Sequence, residues 1–221
     1  MITDIVFDLG QVIAPFDRRR AYIRLLPLLP ERWAEMVKRD LSSFESMLAA
    51  PAIALESGKM EFEEFSGIVQ GILGINLSLD QFLNIWCDLF QMDEDVVGLG
   101  TRLSAHYGTW LASNTSKVHY DWIVGRFPRV LFFQAAALSF ELGVMKPSRI
   151  FFRKAVDMFG IDPGRSVFID DIPENVEGAV AVGMHGILFT GCHSLVEELR
   201  CLGIELDDRP SAPSVLKDGE S

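Results

Sequence analysis

Cysteine and basic residues are both scarce in this chain, and so are long apolar runs. Its three cysteines, Cys87, Cys192 and Cys201, are odd in number and widely spaced. That excludes a disulfide framework and a paired zinc-ligand pattern, and each reads as a buried, reduced structural thiol. Lys+Arg number 20 against 31 Asp+Glu, for a net charge of -11, and no basic run extends beyond Arg18-Arg19-Arg20. A nucleic-acid partner or an anionic membrane surface is therefore disfavoured. No apolar stretch reaches the ~20 residues that a membrane-spanning helix needs. The first residues enter a strand at once, so no signal peptide is expected. These absences describe a cytoplasmic protein, and leave open whether it is a monomer or a homodimer.

The 221 residues suffice for one large domain or a domain with an insertion. With 49% hydrophobic residues and a mean hydropathy of +0.22, the chain can bury a substantial core. Residues 2–7 read as a buried strand. From about 17 to 92 the pattern is helical and contains no convincing strand. Trp33, Met36, Val37, Leu41, Phe44, Met47 and Leu48 recur at helical spacing, as do Phe62, Phe65, Val69, Ile72 and Leu73, then Phe82, Trp86, Leu89 and Phe90. Pro27, Pro30 and Pro51, with Gly58 and Gly74, punctuate these helices.

After residue 93 strands and helices alternate. Strands are expected at 109–112, 130–133, 166–169 and 186–189, with helices at 117–127, 148–159, 173–182 and about 194–202. That alternation means an α/β fold: a Rossmann-like parallel sheet with helices on both faces. The core domain would comprise 1–15 and 93–206. Residues 16–92 would form an inserted all-helical cap over the active-site end of the sheet. Residues 207–221 are polar and proline-containing, and read as a disordered tail.

The chemistry concentrates at strand ends. Ile5-Val6-Phe7 breaks at Asp8 and Gly10, and Val167-Phe168-Ile169 breaks at Asp170-Asp171. Ligands of open α/β sheets bind at the carboxyl ends of the strands. Apolar strands ending in carboxylates are costly to place side by side unless a cation sits between them. One site in which Asp8, Asp170 and Asp171 meet a hard cation, Mg²⁺, is the economical reading; separate turn and helix caps are the alternative for each. Ser113-Asn114-Thr115-Ser116 follows a strand and precedes a helix, a place suited to a phosphate oxyanion as well as to an ordinary cap. Lys146, fixed by Pro147, can project into the same site and offset its negative charge.

FDLGQV, LASNT, the lysine of ELGVMKP and FIDDIPEN resemble, in order and spacing, the four motifs of the haloacid dehalogenase-like hydrolase superfamily. The helical insertion is similar to that superfamily's first type of cap, and the motif sequences to its phosphatase-containing branch. The resemblance implies that Asp8 is the nucleophile, taking the phosphoryl group as an aspartyl phosphate. It gives Asp8, the Gly10 carbonyl and Asp170 to Mg²⁺, with Asp171 a ligand or a partner of one. Ser113 and the Asn114 N–H would hold the phosphate, Lys146 would neutralise it, and Asn175 would orient the metal loop.

One departure stands out. Most phosphatases of the superfamily carry aspartate two residues after the nucleophile, as the acid and base of the reaction; here that position is Gly10. Its loss removes a contribution of roughly 10²–10⁴-fold, unless a cap residue or water substitutes or the leaving group is already acidic. Asp17, Glu45 and His119 are the candidates near the entrance. The resemblance implies a Mg²⁺-dependent phosphatase acting on a small phosphorylated molecule. The alternatives are a 2-haloacid dehalogenase, whose attack on carbon needs no metal, and a weakly active or non-catalytic binding protein that keeps the fold.

Overall fold

The computed structural model describes residues 1–206, and the tail expected at 207–221 lies outside the described residues. Five strands form one all-parallel sheet: β1 (Asp4–Phe7), β2 (Gly108–Ser113), β3 (Ala135–Leu138), β4 (Ser166–Asp170) and β5 (His185–Leu188). Their order is β3-β2-β1-β4-β5. The chain leaves β1 to one side and later returns to its other side, so the order reverses at β1. The carboxyl ends of β1 and β4 thus border the crevice where ligands of such sheets bind.

Alternation along β1 divides the core. Ile5 and Phe7 join Leu111, Val167, Ile169 and Ile187 on one face. There they pack against α6 (Glu94–Leu103), α7 (Lys117–Arg126) and α11 (Cys192–Cys201). Val6 points the other way with Ala112 and Phe168, onto α9 (Arg149–Phe159) and α10 (Pro173–Val180). Period-2 side chains buried on both faces are what a parallel sheet covered on both sides requires. A four-residue helix, α8 (Ser139–Leu142), follows β3.

Between β1 and α6 stand five helices: α1 (Arg18–Leu25), α2 (Glu31–Arg39), α3 (Leu41–Glu56), α4 (Phe62–Leu73) and α5 (Leu79–Cys87). They enclose an apolar cluster of their own around Phe44, Leu48, Phe65, Val69, Leu73 and Phe82. The two chain passages joining this block to the sheet run side by side. Gln91 N–H donates to the Pro15 carbonyl (2.8 Å), Asp93 N–H to that of Ile13 (3.0 Å) and Asp17 N–H to that of Leu89 (3.1 Å). Phe16 and Phe90 meet edge to face across the same passages, their centroids 5.7 Å apart.

Several expectations are corrected. Residues 130–133 are not a strand: Pro128–Val130 is a 3-10 turn, and the third strand is the following Ala135–Leu138. Phe132 instead packs edge-on to Phe7 at 5.3 Å and over the bare backbone of Gly100, where a Cβ would lie 2.4 Å from its ring. Pro51 lies inside α3 rather than at its end. The stripe from Trp33 to Leu48 is split at Asp40, whose carboxylate caps α3 by accepting from Ser43 N–H (3.0 Å). Of the thiols only Cys87 is buried. Cys192 is half-buried and Cys201 exposed, because α11 turns only Leu195 and Leu199 fully inward. Among the described residues no helix is long and apolar enough to cross a membrane.

Candidate active site

Asp8 stands one residue beyond β1, and its N–H donates to the Ile169 carbonyl of β4 (2.9 Å). That bond extends the ladder past Phe7 and fixes the nucleophile candidate beside Asp170, the last residue of β4. One oxygen each of Asp8, Asp170 and Asp171 lies within 4.8 Å of the others. Asp8 and Asp170 are buried and Asp171 is half-buried. Three convergent carboxylates form a hard, all-oxygen donor set of the kind that Mg²⁺ accepts.

Lys146 holds the pair together. Its ammonium donates to Asp8 Oδ1 (2.7 Å), Asp170 Oδ2 (2.7 Å) and the Ala112 carbonyl (2.9 Å), spending all three protons. Its side chain is 1% exposed. The loop that carries it is locked to the end of β2: Asn114 Oδ1 accepts from Lys146 N–H (2.8 Å), and Asn114 Nδ2 donates to the Lys146 carbonyl (3.0 Å). On the far side of Asp170, buried Asn175 donates to both carboxylate oxygens (3.0 and 3.1 Å), and Ile172 N–H donates to Oδ1 (2.8 Å). Asn175 can approach because α10 sits directly on the lysine loop; a Cβ at Gly178 would meet the Pro147 carbonyl at 2.5 Å.

Burial dominates the electrostatics. It pushes the Asp8 carboxyl up to about 6 from 3.8, with Lys146 pulling it down and Asp170 pushing it further up. Burial raises Asp171 as well, and the neighbouring Asp170 adds to this. A carboxylate held among others at this cost is poised to accept a cation.

The loop after β2 contributes Ser113, buried at the strand end, and Asn114. Ser116 caps α7 by accepting from His119 N–H (3.4 Å). Thr115 N–H is not free for a ligand, since it donates to Ser139 Oγ (2.9 Å). The same hydroxyl donates to the Glu56 carbonyl at the end of α3, and so ties the helical block to this loop. Above these residues lies a cavity of about 550 Å³ between sheet and helical block. Asp8, Gly10, Ser113, Asn114, Lys146, Asp171 and Asn175 all line it; Asp170 does not, being wholly buried behind Lys146.

A family model for haloacid dehalogenase-like hydrolases matches residues 19–183. The chain belongs to that family. The matched span holds the Ser113, Lys146 and Asp170 segments and begins after Asp8. Among curated proteins, this hydrolase is 26% identical over 186 residues to a D-ribitol-5-phosphate phosphatase of Bacteroides thetaiotaomicron, covering 80% of this chain and 86% of that protein. It is 39% identical over 64 residues to flavin mononucleotide hydrolase 1 of Arabidopsis thaliana, covering 29% of this chain and only 26% of that protein. A solved enzyme of the family from Bacteroides thetaiotaomicron, in complex with magnesium and inorganic phosphate, superimposes with a TM-score of 0.72 at 24% identity, over 85% of this chain and 93% of the other. Likeness at that identity speaks for the fold.

The three acid candidates at the entrance fare differently. Asp17 is exposed and caps α1 through Arg19 N–H (2.9 Å). His119 stacks on Trp86, with Nε2 3.2 Å from the Trp86 carbonyl, and burial holds its pKa down at about 4. A neutral imidazole occupied in this way is a poor proton donor. Glu45 lines the cavity and accepts from the Tyr22 hydroxyl (2.7 Å). Sequence reasoning missed Glu56, which also lines the cavity. No motif marks it; it is the last residue of α3, and nothing in the local sequence sets it apart.

Proposed function

We propose that this hydrolase is a Mg²⁺-dependent phosphatase that cleaves a small phosphate monoester through an aspartyl-phosphate intermediate. The observation that carries the reading is the buried Asp8–Lys146–Asp170 arrangement beneath the cavity, with Asp171 beside it. Asp8, Asp170 and Asp171, with the Gly10 carbonyl, would hold the cation. Bound there, Mg²⁺ would neutralise the phosphate and the nucleophile, allowing two anions to approach. Asp8 attacks phosphorus in line while the ester oxygen departs; water then attacks the acyl phosphate and regenerates Asp8. Ser113 and Asn114 position the phosphate oxygens, and Lys146 stabilises charge on both nucleophile and phosphate. Asn175 holds the Asp170 carboxylate in place. The names of the two curated relatives support phosphoester chemistry, and the acidic cluster weighs against halide displacement, which needs no metal.

Residues 1–15 and 93–206 act as the core, and 16–92 as a cap. A cavity of about 550 Å³ lies in the usual range for small-molecule sites and suits a metabolite rather than a protein substrate. The test is a screen of phosphorylated metabolites with and without Mg²⁺, on the wild type and on Asp8→Asn. Turnover that needs the metal and vanishes in Asp8→Asn is expected, together with a hydroxylamine-labile phosphoryl enzyme. Unchanged activity in Asp8→Asn would end this reading.

A further inference from the structure

The proton-transfer step has no obvious agent in the core of this site. Gly10 occupies the position where an acid is expected, and the space beside it is filled. A Cβ there would lie 3.2 Å from Phe16 Cε1 and 4.0 Å from Asp8 Oδ2. Phe16, on the passage into the helical block, thus stands where such an acid would reach. A replacement has to come from elsewhere on the cavity wall.

The charged and titratable groups lining the cavity, besides Glu56, are Asp8, Lys146 and Asp171 on the sheet side, and Arg18, Tyr22, Glu45 and His119 on the helices. Asp8, Lys146 and Asp171 are committed to nucleophile and cation. The Tyr22 hydroxyl is bound to Glu45 (2.7 Å), and burial drives its pKa up, so it does not titrate in the working range. His119 is held neutral against Trp86. Glu45 is occupied as an acceptor, and Arg18 brings a guanidinium in place of a carboxylic acid.

Glu56 differs from all of these. The residue is half-buried and lines the cavity, and its side chain has no hydrogen-bond or ion-pair partner among the described residues. Its backbone is fixed relative to the phosphate loop, because Ser139 Oγ bonds the Glu56 carbonyl and Thr115 N–H at once. An unpartnered carboxylic acid on a rigid mount, in the wall of the cavity the substrate would fill, is suited to proton transfer.

We propose that Glu56, from the helical block, is the catalytic acid and base that stands in for the missing carboxylate at position 10. The assignment rests on the phosphatase reading above. As Asp8 Oδ bonds to phosphorus, the P–O bond to the leaving group breaks with its electron pair. The Glu56 carboxyl gives its proton to that oxygen, releasing an alcohol and leaving a carboxylate. Glu56 then takes a proton from water as the water oxygen bonds to phosphorus and the Asp8–phosphorus bond breaks, which yields inorganic phosphate and restores both groups. Burial supports the role: it raises the Glu56 carboxyl to about 7, with Arg18 pulling only partly the other way, so that both forms are populated near neutrality.

The test is a series of phosphate monoesters with leaving groups of graded acidity, assayed with Mg²⁺ on the wild type, Glu56→Gln and Glu45→Gln. In Glu56→Gln, kcat/KM for primary-alkyl phosphates should fall by about 10²–10⁴-fold, while p-nitrophenyl phosphate, whose leaving group needs no proton, changes by less than about tenfold. The wild-type kcat/KM for an alkyl ester should fall as pH rises above about 7, and that limb should be absent in Glu56→Gln. Thermal stability of this variant should not drop at pH 8, because Gln mimics the neutral form that burial favours. Glu56→Asp, which keeps the acid one methylene further back, should recover part of the alkyl rate. An unchanged leaving-group slope in Glu56→Gln, or a slope that steepens in Glu45→Gln instead, would overturn the assignment. A wild type that hydrolyses no ester with Mg²⁺ would overturn the phosphatase reading beneath it.

Discussion

Lys146→Met tests the centre of the site directly. Methionine nearly matches the length and volume of the lysine stem, so the substitution removes charge and donors while leaving little cavity. What remains is a pair of buried carboxylates that had each accepted a 2.7 Å bond from the same ammonium. Breaking a buried pair by deleting one partner costs about 3–5 kcal/mol. For a domain of this size a destabilisation of 1 kcal/mol lowers Tm by about 2–4 °C, so the expected loss is about 6–20 °C in chelator at pH 8. The loss should depend on pH with a definite sign. Lys146 pulls the Asp8 pKa down; without it the carboxyl rises above about 6. Protonation then relieves the repulsion, and the deficit should shrink as pH falls from 8 to 4. Thermal melts of both proteins at pH 4, 6 and 8, followed by circular dichroism, make the measurement. A deficit under about 1 kcal/mol at pH 8, the scale of an exposed pair, or one equal at pH 4 and pH 8, would refute this account of the site.

Two other outcomes follow from the same geometry. The Asp8 carboxyl lies at about 6 in the fold against 3.8 unfolded, so between those values the native state binds more protons. The metal-free wild type should therefore lose roughly 3 kcal/mol of stability as pH rises from about 4 to about 6, a loss that denaturant melts in chelator would show and that Asp8→Asn should abolish. Gly10→Asp should not restore an acid by itself. Its Cβ would meet Phe16 Cε1 at 3.2 Å, and overpacking of this kind costs about 1–3 kcal/mol. In the Glu56→Gln background, where the acid is gone, Gly10→Asp should recover alkyl-phosphate turnover only when Phe16→Ala is added, as steady-state rates on these variants would reveal.

Much of the site was legible because strand ends in a parallel sheet are chemically marked. Asp8 and Asp170-Asp171 each interrupt an apolar run, and a carboxylate at such a position calls for a partner. Lys146 was legible through its proline, and Ser113-Asn114 through the strand-to-helix change. Glu56 and Phe16 were not. Their importance comes from where α3 ends and where the passage into the helical block folds back over Gly10, and no local pattern encodes either. The third strand misled for a related reason. Val130 to Phe133 has the stronger β propensity, but Phe132 is taken up by Phe7 and Gly100, and the small Ala135-Ala136-Ala137 run pairs with β2 instead.

The sequence by itself determined the periodicities, and with them the parallel sheet and the helical block. It also determined that carboxylates would stand at the ends of apolar strands. Only the tertiary structure decided that one ammonium joins Asp8 to Asp170, that Asn175 holds the second carboxylate, and that the space beside Gly10 belongs to an aromatic ring. The physical reason is one of range. Periodicity reports which face of a segment avoids water, a property of neighbours along the chain. Hydrogen bonds across 24 and 138 residues of sequence depend on how whole layers pack, and packing is decided by shape and volume among residues that no short window contains.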